Sequence, residues 1–285
     1  MLPSKQTYST PNSLLKSNYP IVFRRFLLHF SRDLTPGNRA EFKFWCKGQI
    51  PGSKLDINPE NDEDFLGLIE FLLEFNAVSL TNLSLLEEFL ITVGSHDLLQ
   101  SLKQVELQIS LSGILEGYIK SVIHLRHGTP VKLARDQASV SKFLLAIKEI
   151  NKELISPVLN RQLEQVEDDS VVLQVIKSPL LKTSSLSWSK FTSYLVFIGE
   201  FYASFSWPRN QIPDVVADGH FRSLFSDTKT CELLTEWMLK NGGLEAFQEF
   251  IKEKQQTTIS ESVSSSNGEC LKEIIERLGN RIDLQ

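Results

Sequence analysis

The sequence predicts an all-α protein built as two successive helical bundles. Three observations predict it. Apolar residues recur at three- and four-residue spacing over most of the 285 residues, with no run of strand-like alternation and no internal repeat. One segment, Phe191 to Phe205, is apolar on almost every side, as a helix buried inside a bundle must be. The length is also that of two domains at about 150 residues each, and 18 Phe against two Met and four Trp supply bulky side chains for helix-packing cores.

Composition narrows the class of function. Apolar residues make up 41% and charged residues 23%, which excludes a wholly disordered chain. A net charge of −5 gives no strongly basic face, so no nucleic-acid partner is expected. Cys46, Cys231 and Cys270 lie too far apart for a disulfide framework or a zinc module and suit a reducing compartment. The N-terminus has no apolar signal core. The nearest approach to a membrane span, Phe191–Phe205, is too short and contains Glu200. The expectation is a soluble chain with no integral span and no tail anchor.

The elements follow in order. Residues 1–17, rich in Ser, Thr and Asn with Pro3 and Pro11, read as a disordered lead. Val22, Phe23, Phe26, Leu27 and Phe30 form the first amphipathic face, broken at Pro36-Gly37. Phe42, Trp45 and Cys46 continue on a second helix, stopped by Gly48 and Pro51. The carboxylates of 60–64 precede the stripe Phe65, Leu68, Ile69, Leu72 and Phe75, where they favour the positive end of a helix dipole. Leu80-Thr81-Asn82 opens a helix through Leu85, Leu86, Phe89 and Leu90, and a short last helix is expected near Asp97–Leu102. These make a bundle of about six elements over 18–103.

The second half starts near 105. Leu111, Ile114, Leu115, Tyr118, Ile119 and Val122 form one stripe, followed by a loop from His124 to Pro130. Val140, Phe143, Leu144, Ile147, Ile150 and Leu154 form the next, ended before Pro157. Glu164–Ser170 reads as a turn, and Val171–Ile176 as a short apolar run of either type. Ser187-Trp188 opens the all-apolar helix, which Trp207-Pro208 ends. Helices about Asp227–Lys240 and Leu244–Lys254 flank Asn241-Gly242-Gly243, and 255–285 reads as a Ser-rich linker with a short amphipathic helix at Cys270–Leu278.

Enzymatic motifs are lacking. There is no phosphate-binding glycine loop, no GxSxG and no HExxH. His124 and His127 lack a third ligand nearby, so no metal is expected. The acidic run 60–64 lacks the glycine and closing Glu of a calcium loop. His29 and His96 read as surface or cap groups, and Cys46 as a small core residue. The expectation is a non-enzyme with no cofactor.

Residues 18–103 resemble a death effector domain, the six-helix module of caspase-recruiting adaptors. The resemblance is carried by Ala40-Glu-Phe-Lys-Phe-Trp-Cys46, Gln49-Ile-Pro51, Leu83-Ser-Leu-Leu-Glu-Glu-Phe-Leu90 and Ser95-His-Asp-Leu-Leu99. In that family an acidic residue on the second helix and an Arg-x-Asp-Leu motif on the last form a surface charge triad. The matching positions here are Asn38, Ser95 and Asp97, so only the Asp remains, and it is left to bond Ser95 or to cap the helix. The resemblance implies an apolar docking patch around Phe44, a residue that reads equally as surface and as core.

Residues 105–254 resemble the Bcl family of apoptosis regulators, on Trp237-Met-Leu-Lys-Asn-Gly-Gly-Leu-Glu-Ala-Phe247 and on Leu186-Ser-Trp-Ser-Lys-Phe191 with Phe197 and Gly199. The resemblance implies a bundle around a buried central helix, with a hydrophobic groove that receives a partner's amphipathic death-motif (third Bcl-homology) helix. Lys190, Phe191, Ser193, Phe197, Asn241 and Gly242 are the implied groove positions, Lys190 pairing the ligand's Asp. Trp188, Tyr194, Trp237 and Phe247 are read as core. Leu144-Leu-Ala-Ile-Lys-Glu149 aligns loosely with the family's own death motif, with Lys148 in place of the small residue that lets two helices touch.

Together the two resemblances imply a cytoplasmic regulator of apoptosis. Its partners would be the death-motif helices of pro-apoptotic Bcl proteins and death effector domain proteins such as caspase-recruiting adaptors. Peripheral association with the mitochondrial outer membrane or the ER surface is implied, and a restraining, anti-apoptotic role. The alternatives are an adaptor with a vestigial groove that acts by self-association, and a pore-forming effector.

Overall fold

The computed structural model describes residues 19–127, 135–150, 186–206, 225–226 and 228–256. Among them lie nine α-helices, one 3-10 turn and no strand beyond two isolated bridges, so the protein is all-α. The chain divides into two compact units, Met1–Glu106 and Leu107–Gln285.

The N-terminal unit begins with α1 (Ile21–Asp33), which buries Phe23, Phe26, Leu27 and Phe30. The chain leaves it in extended conformation at Leu34, and α2 (Pro36–Trp45) follows. Pro36 is thus not only a break. It is the first residue of α2, where a missing N–H costs nothing, and the Thr35 hydroxyl accepts from the Asn38 N–H as cap. After a 3-10 turn at Gly52–Lys54, α3 (Asp62–Glu74) starts as expected. The Asn61 side chain accepts from the Glu63 and Asp64 N–H groups, and three carboxylates fill the first turn. Its buried stripe ends on Leu73. Phe75 caps the helix and is exposed, contrary to expectation, because the helix stops one residue short of presenting it. Next come α4 (Ser84–Thr92) and the start of α5 (His96–His127).

One Phe from each of α1 to α4 meets in the centre of this unit. Phe30 lies 5.1 Å from Phe42 and 6.4 Å from Phe65, and Phe42 lies 4.8 Å from Phe89, ring centre to ring centre. All four are wholly buried. Edge-to-face contact favours such rings beyond simple burial.

The expected short helix at Asp97–Leu102 and the expected loop from His124 are both corrected by α5. This helix runs 32 residues without interruption, through the position where a domain break was expected. The division between units falls inside it, after Glu106.

In the C-terminal unit, α5 continues from Leu107 and is followed by α6 (Arg135–Ile150), α7 (Trp188–Ser206), α8 (Lys229–Lys240) and α9 (Gly243–Gln256). Every residue of α7 from Phe191 to Ala203 is buried, so α7 is the central rod of one apolar core that draws on all five helices. The corner between α8 and α9 needs its glycines. Gly242 and Gly243 have φ of 92° and 69°, and a Cβ on Gly242 would lie 2.7 Å from that of Ala246. The α9 helix takes in Gln255 and Gln256, which the sequence assigned to the linker. The expected lead at 1–17, the turn at 164–170, the run at 171–176, the Trp207-Pro208 stop and residues 257–285 lie outside the described residues.

Candidate protein-interaction sites

On the N-terminal unit, Phe44 stands on the outer face of α2 and is 64% exposed. Its register explains this: Phe42 turns into the four-ring core, and two residues on the side chain points away. The Lys47 ammonium lies 4.3 Å above the Phe44 ring, a cation–π contact on the surface. Of the two readings the sequence left open for Phe44, the structure shows surface. Ile91 at the end of α4 is exposed as well.

Asn38 and Ser95 are half-buried and Asp97 is exposed. No hydrogen bond or ion pair joins the three side chains, and Asp97 lies in the first turn of α5, where its charge favours the helix dipole. Ser95 leads into that turn, its carbonyl accepting from the Leu99 N–H.

Two ion pairs that the sequence did not reveal join other helices of this unit, α2 to α3 and α4 to α5. Arg39, nearly buried, reaches Asp62 at 2.6 Å and lies 5.3 Å from the centre of the Phe65 ring. Lys103 of α5 pairs with Glu87 of α4. Cys46 is wholly buried, and burial pushes its thiol up to about 12.

On the C-terminal unit, the six implied groove positions separate into two sets. Phe191, Ser193 and Phe197 are buried in the core, which corrects their reading as groove surface: the rod they sit on is covered all round. The Ser193 hydroxyl donates to the Ser189 carbonyl of its own helix, which is how a polar side chain is accommodated there. Lys190 is half-buried, its backbone N–H donating to the Ser187 hydroxyl at 3.3 Å. Asn241 and Gly242 are exposed at the α8–α9 corner, where the Asn241 side chain donates to the Trp237 carbonyl.

Of the residues read as core, Tyr194 and Phe247 are buried, and burial pushes the Tyr194 hydroxyl above the usual tyrosine range. Trp188 and Trp237 are half-buried, 4.7 Å apart, and Trp188 stacks on Phe247 at 5.4 Å.

Glu200, a carboxylate in the centre of α7, is 1% exposed. It accepts from the Tyr118 hydroxyl of α5 at 2.9 Å and pairs with Lys148 of α6 at 2.9 Å, both on the same oxygen. The signal for this was in the sequence as two misfits, a charge in an apolar run and a Lys where a small residue was expected.

Among the described residues no helix is long and apolar enough to cross a membrane, and no cluster of His, Cys, Asp and Glu is placed to hold a metal. His29, His96 and His124 are exposed. The side chain of His127 lies outside the described residues.

No curated protein and no solved structure matches the chain significantly. Residues 23–108, the segment that holds the four-ring core, Phe44 and the Arg39–Asp62 pair, match the family model of the death effector domain.

Proposed function

We propose that the chain regulates apoptosis in the cytoplasm, without catalysis, by binding death effector domain proteins such as caspase-recruiting adaptors through the α2 face of its N-terminal unit. The observation that carries this reading is the family match over 23–108 on a bundle that leaves Phe44 outside its core. Exposed aromatic rings are enriched at the centres of protein interfaces, and Phe44 is such a ring. The test is light scattering and pull-down of the full chain with a purified death effector domain. The expected result is association that Phe44→Asp abolishes while the unfolding midpoint stays unchanged. Association untouched by Phe44→Asp would overturn the assignment of that face.

The C-terminal unit, in the same proposal, is a Bcl-like receptor for death-motif helices, with Lys190 pairing the ligand's Asp and a restraint on cell death as outcome. The buried rod α7 and the glycine corner at 242–243 support it. Burial of Phe191, Ser193 and Phe197 favours a second reading, an adaptor whose groove is vestigial. Fluorescence anisotropy of a death-motif peptide on the full chain separates them. Micromolar binding lost on Lys190→Glu supports the receptor, and no binding supports the adaptor.

A further inference from the structure

The amphipathic helix α6 lies in its bundle the way a ligand helix lies in a groove. Val140, Phe143, Leu144 and Ile147, at i, i+3, i+4 and i+7, are its buried anchors. Three elements form the seat. On α5 the chains approach closely: a Cβ on Gly117 would lie 3.3 Å from that of Gln137, whose side-chain amide donates to the Gly113 carbonyl. On α9, Phe250 meets Phe143 edge to face at 6.1 Å. On α7, Glu200 meets Lys148, the residue after the fourth anchor.

That last contact sets the polarity of the seat. Glu200 is a buried carboxylate held by the Tyr118 hydroxyl, and the Tyr118 ring is itself seated on Gly199, where a Cβ would come within 2.4 Å of it. A carboxylate fixed in an apolar rod is costly without a cation. An anion brought to the same place is repelled, and a neutral side chain leaves the charge without that ion pair.

We propose that Glu200 is a specificity-determining residue of a helix seat, selecting amphipathic helices that carry a cation directly after the fourth apolar anchor, with α6 of this chain as the resident occupant. This polarity is opposite to that implied at Lys190, where the receptor supplies the cation and the ligand the acid. The inference rests on the helix-receptor reading only in requiring that the unit can seat a helix in trans.

The test uses the full chain carrying Leu144→Ala and Lys148→Ala, which loosen the resident helix against its high effective concentration. Three labelled peptides are titrated by anisotropy: residues 135–150, the same peptide with Lys148→Ala, and a death-motif helix with Asp after its fourth anchor. The expected result is that the loosened chain binds the Lys148 peptide at least about tenfold more tightly than its Ala version. Adding Glu200→Gln, which keeps the shape and an acceptor for Tyr118, erases the preference, and the unaltered chain binds neither. Equal binding of the two α6 peptides overturns the inference, and if the death-motif helix still binds, the receptor reading survives it. A Lys preference with no binding of the death-motif helix leaves the inference standing and removes the receptor reading. Binding of none of the three overturns both.

Discussion

Arg39 and Asp62 form one ion pair in which the two partners do different work. Asp62 is 69% exposed at its side chain, so water screens its half of the attraction. Arg39 is nearly buried and lies against the Phe65 ring as well as the carboxylate. Asp62→Ala is therefore expected to cost under about 1 kcal/mol, and Arg39→Ala about 2 kcal/mol, because it also removes cation–π contact and packing. Denaturant unfolding of both variants checks this, and equal losses would contradict it. Cys46 makes a second test at this scale. Its thiol is raised to about 12 by burial, from an ordinary value of 9.0. The thiolate is the reactive form, so alkylation at pH 8 with peptide mapping should leave Cys46 unmodified until denaturant is added. The unfolded thiol ionises first, so its contribution to stability is complete below about 9.0 and is lost as pH rises toward about 12.

At the scale of elements, the corner and the crossings depend on glycine. Gly199→Ala sets a methyl against the Tyr118 ring at 2.4 Å and should cost about 1–3 kcal/mol by overpacking. Gly242→Ala combines a positive φ with the contact to Ala246 and should cost about 1 kcal/mol or more. Thermal unfolding measures both, and Gly67→Ala, in open space within α3, is the control expected to be neutral or better. Helices with a one-sided apolar stripe, such as α1 and α3, are legible from spacing alone. The α5 helix is not. Its apolar positions follow one stripe through Leu98, Leu102 and Val105 and another through Leu107, Leu111, Ile114 and Tyr118, and a change of stripe reads as the end of a helix. Pro36 taken alone reads as a breaker, whereas the Thr35 cap before it makes it the first residue of α2. The Glu200–Lys148 contact was illegible for a different reason. Partners 52 positions apart on separate helices leave no local pattern, only two residues that fit their own surroundings badly.

At the scale of the whole molecule, each unit has its own apolar centre. The N-terminal unit holds the four rings of Phe30, Phe42, Phe65 and Phe89, and the C-terminal unit the residues around α7. The shared helix α5 is not expected by itself to make them one cooperative body. Helical propensity alone stabilises a segment weakly, and side-chain burial holds the rest. When the N-terminal unit opens, α5 is expected to fray only as far as Glu106, since from Leu107 onward its apolar residues are anchored in the second core. Phe42→Ala, at about 3–5 kcal/mol for a buried ring, should thus lower one calorimetric transition and leave the other in place. Phe197→Ala should do the reverse. Trp45 fluorescence follows the first unit once Trp188, Trp207 and Trp237 are replaced by Phe, and assigns the transitions. If Phe42→Ala moved both transitions together, α5 would be carrying cooperativity from one core to the other, and the N-terminal unit could not be treated as a module that acts independently of the bundle after it.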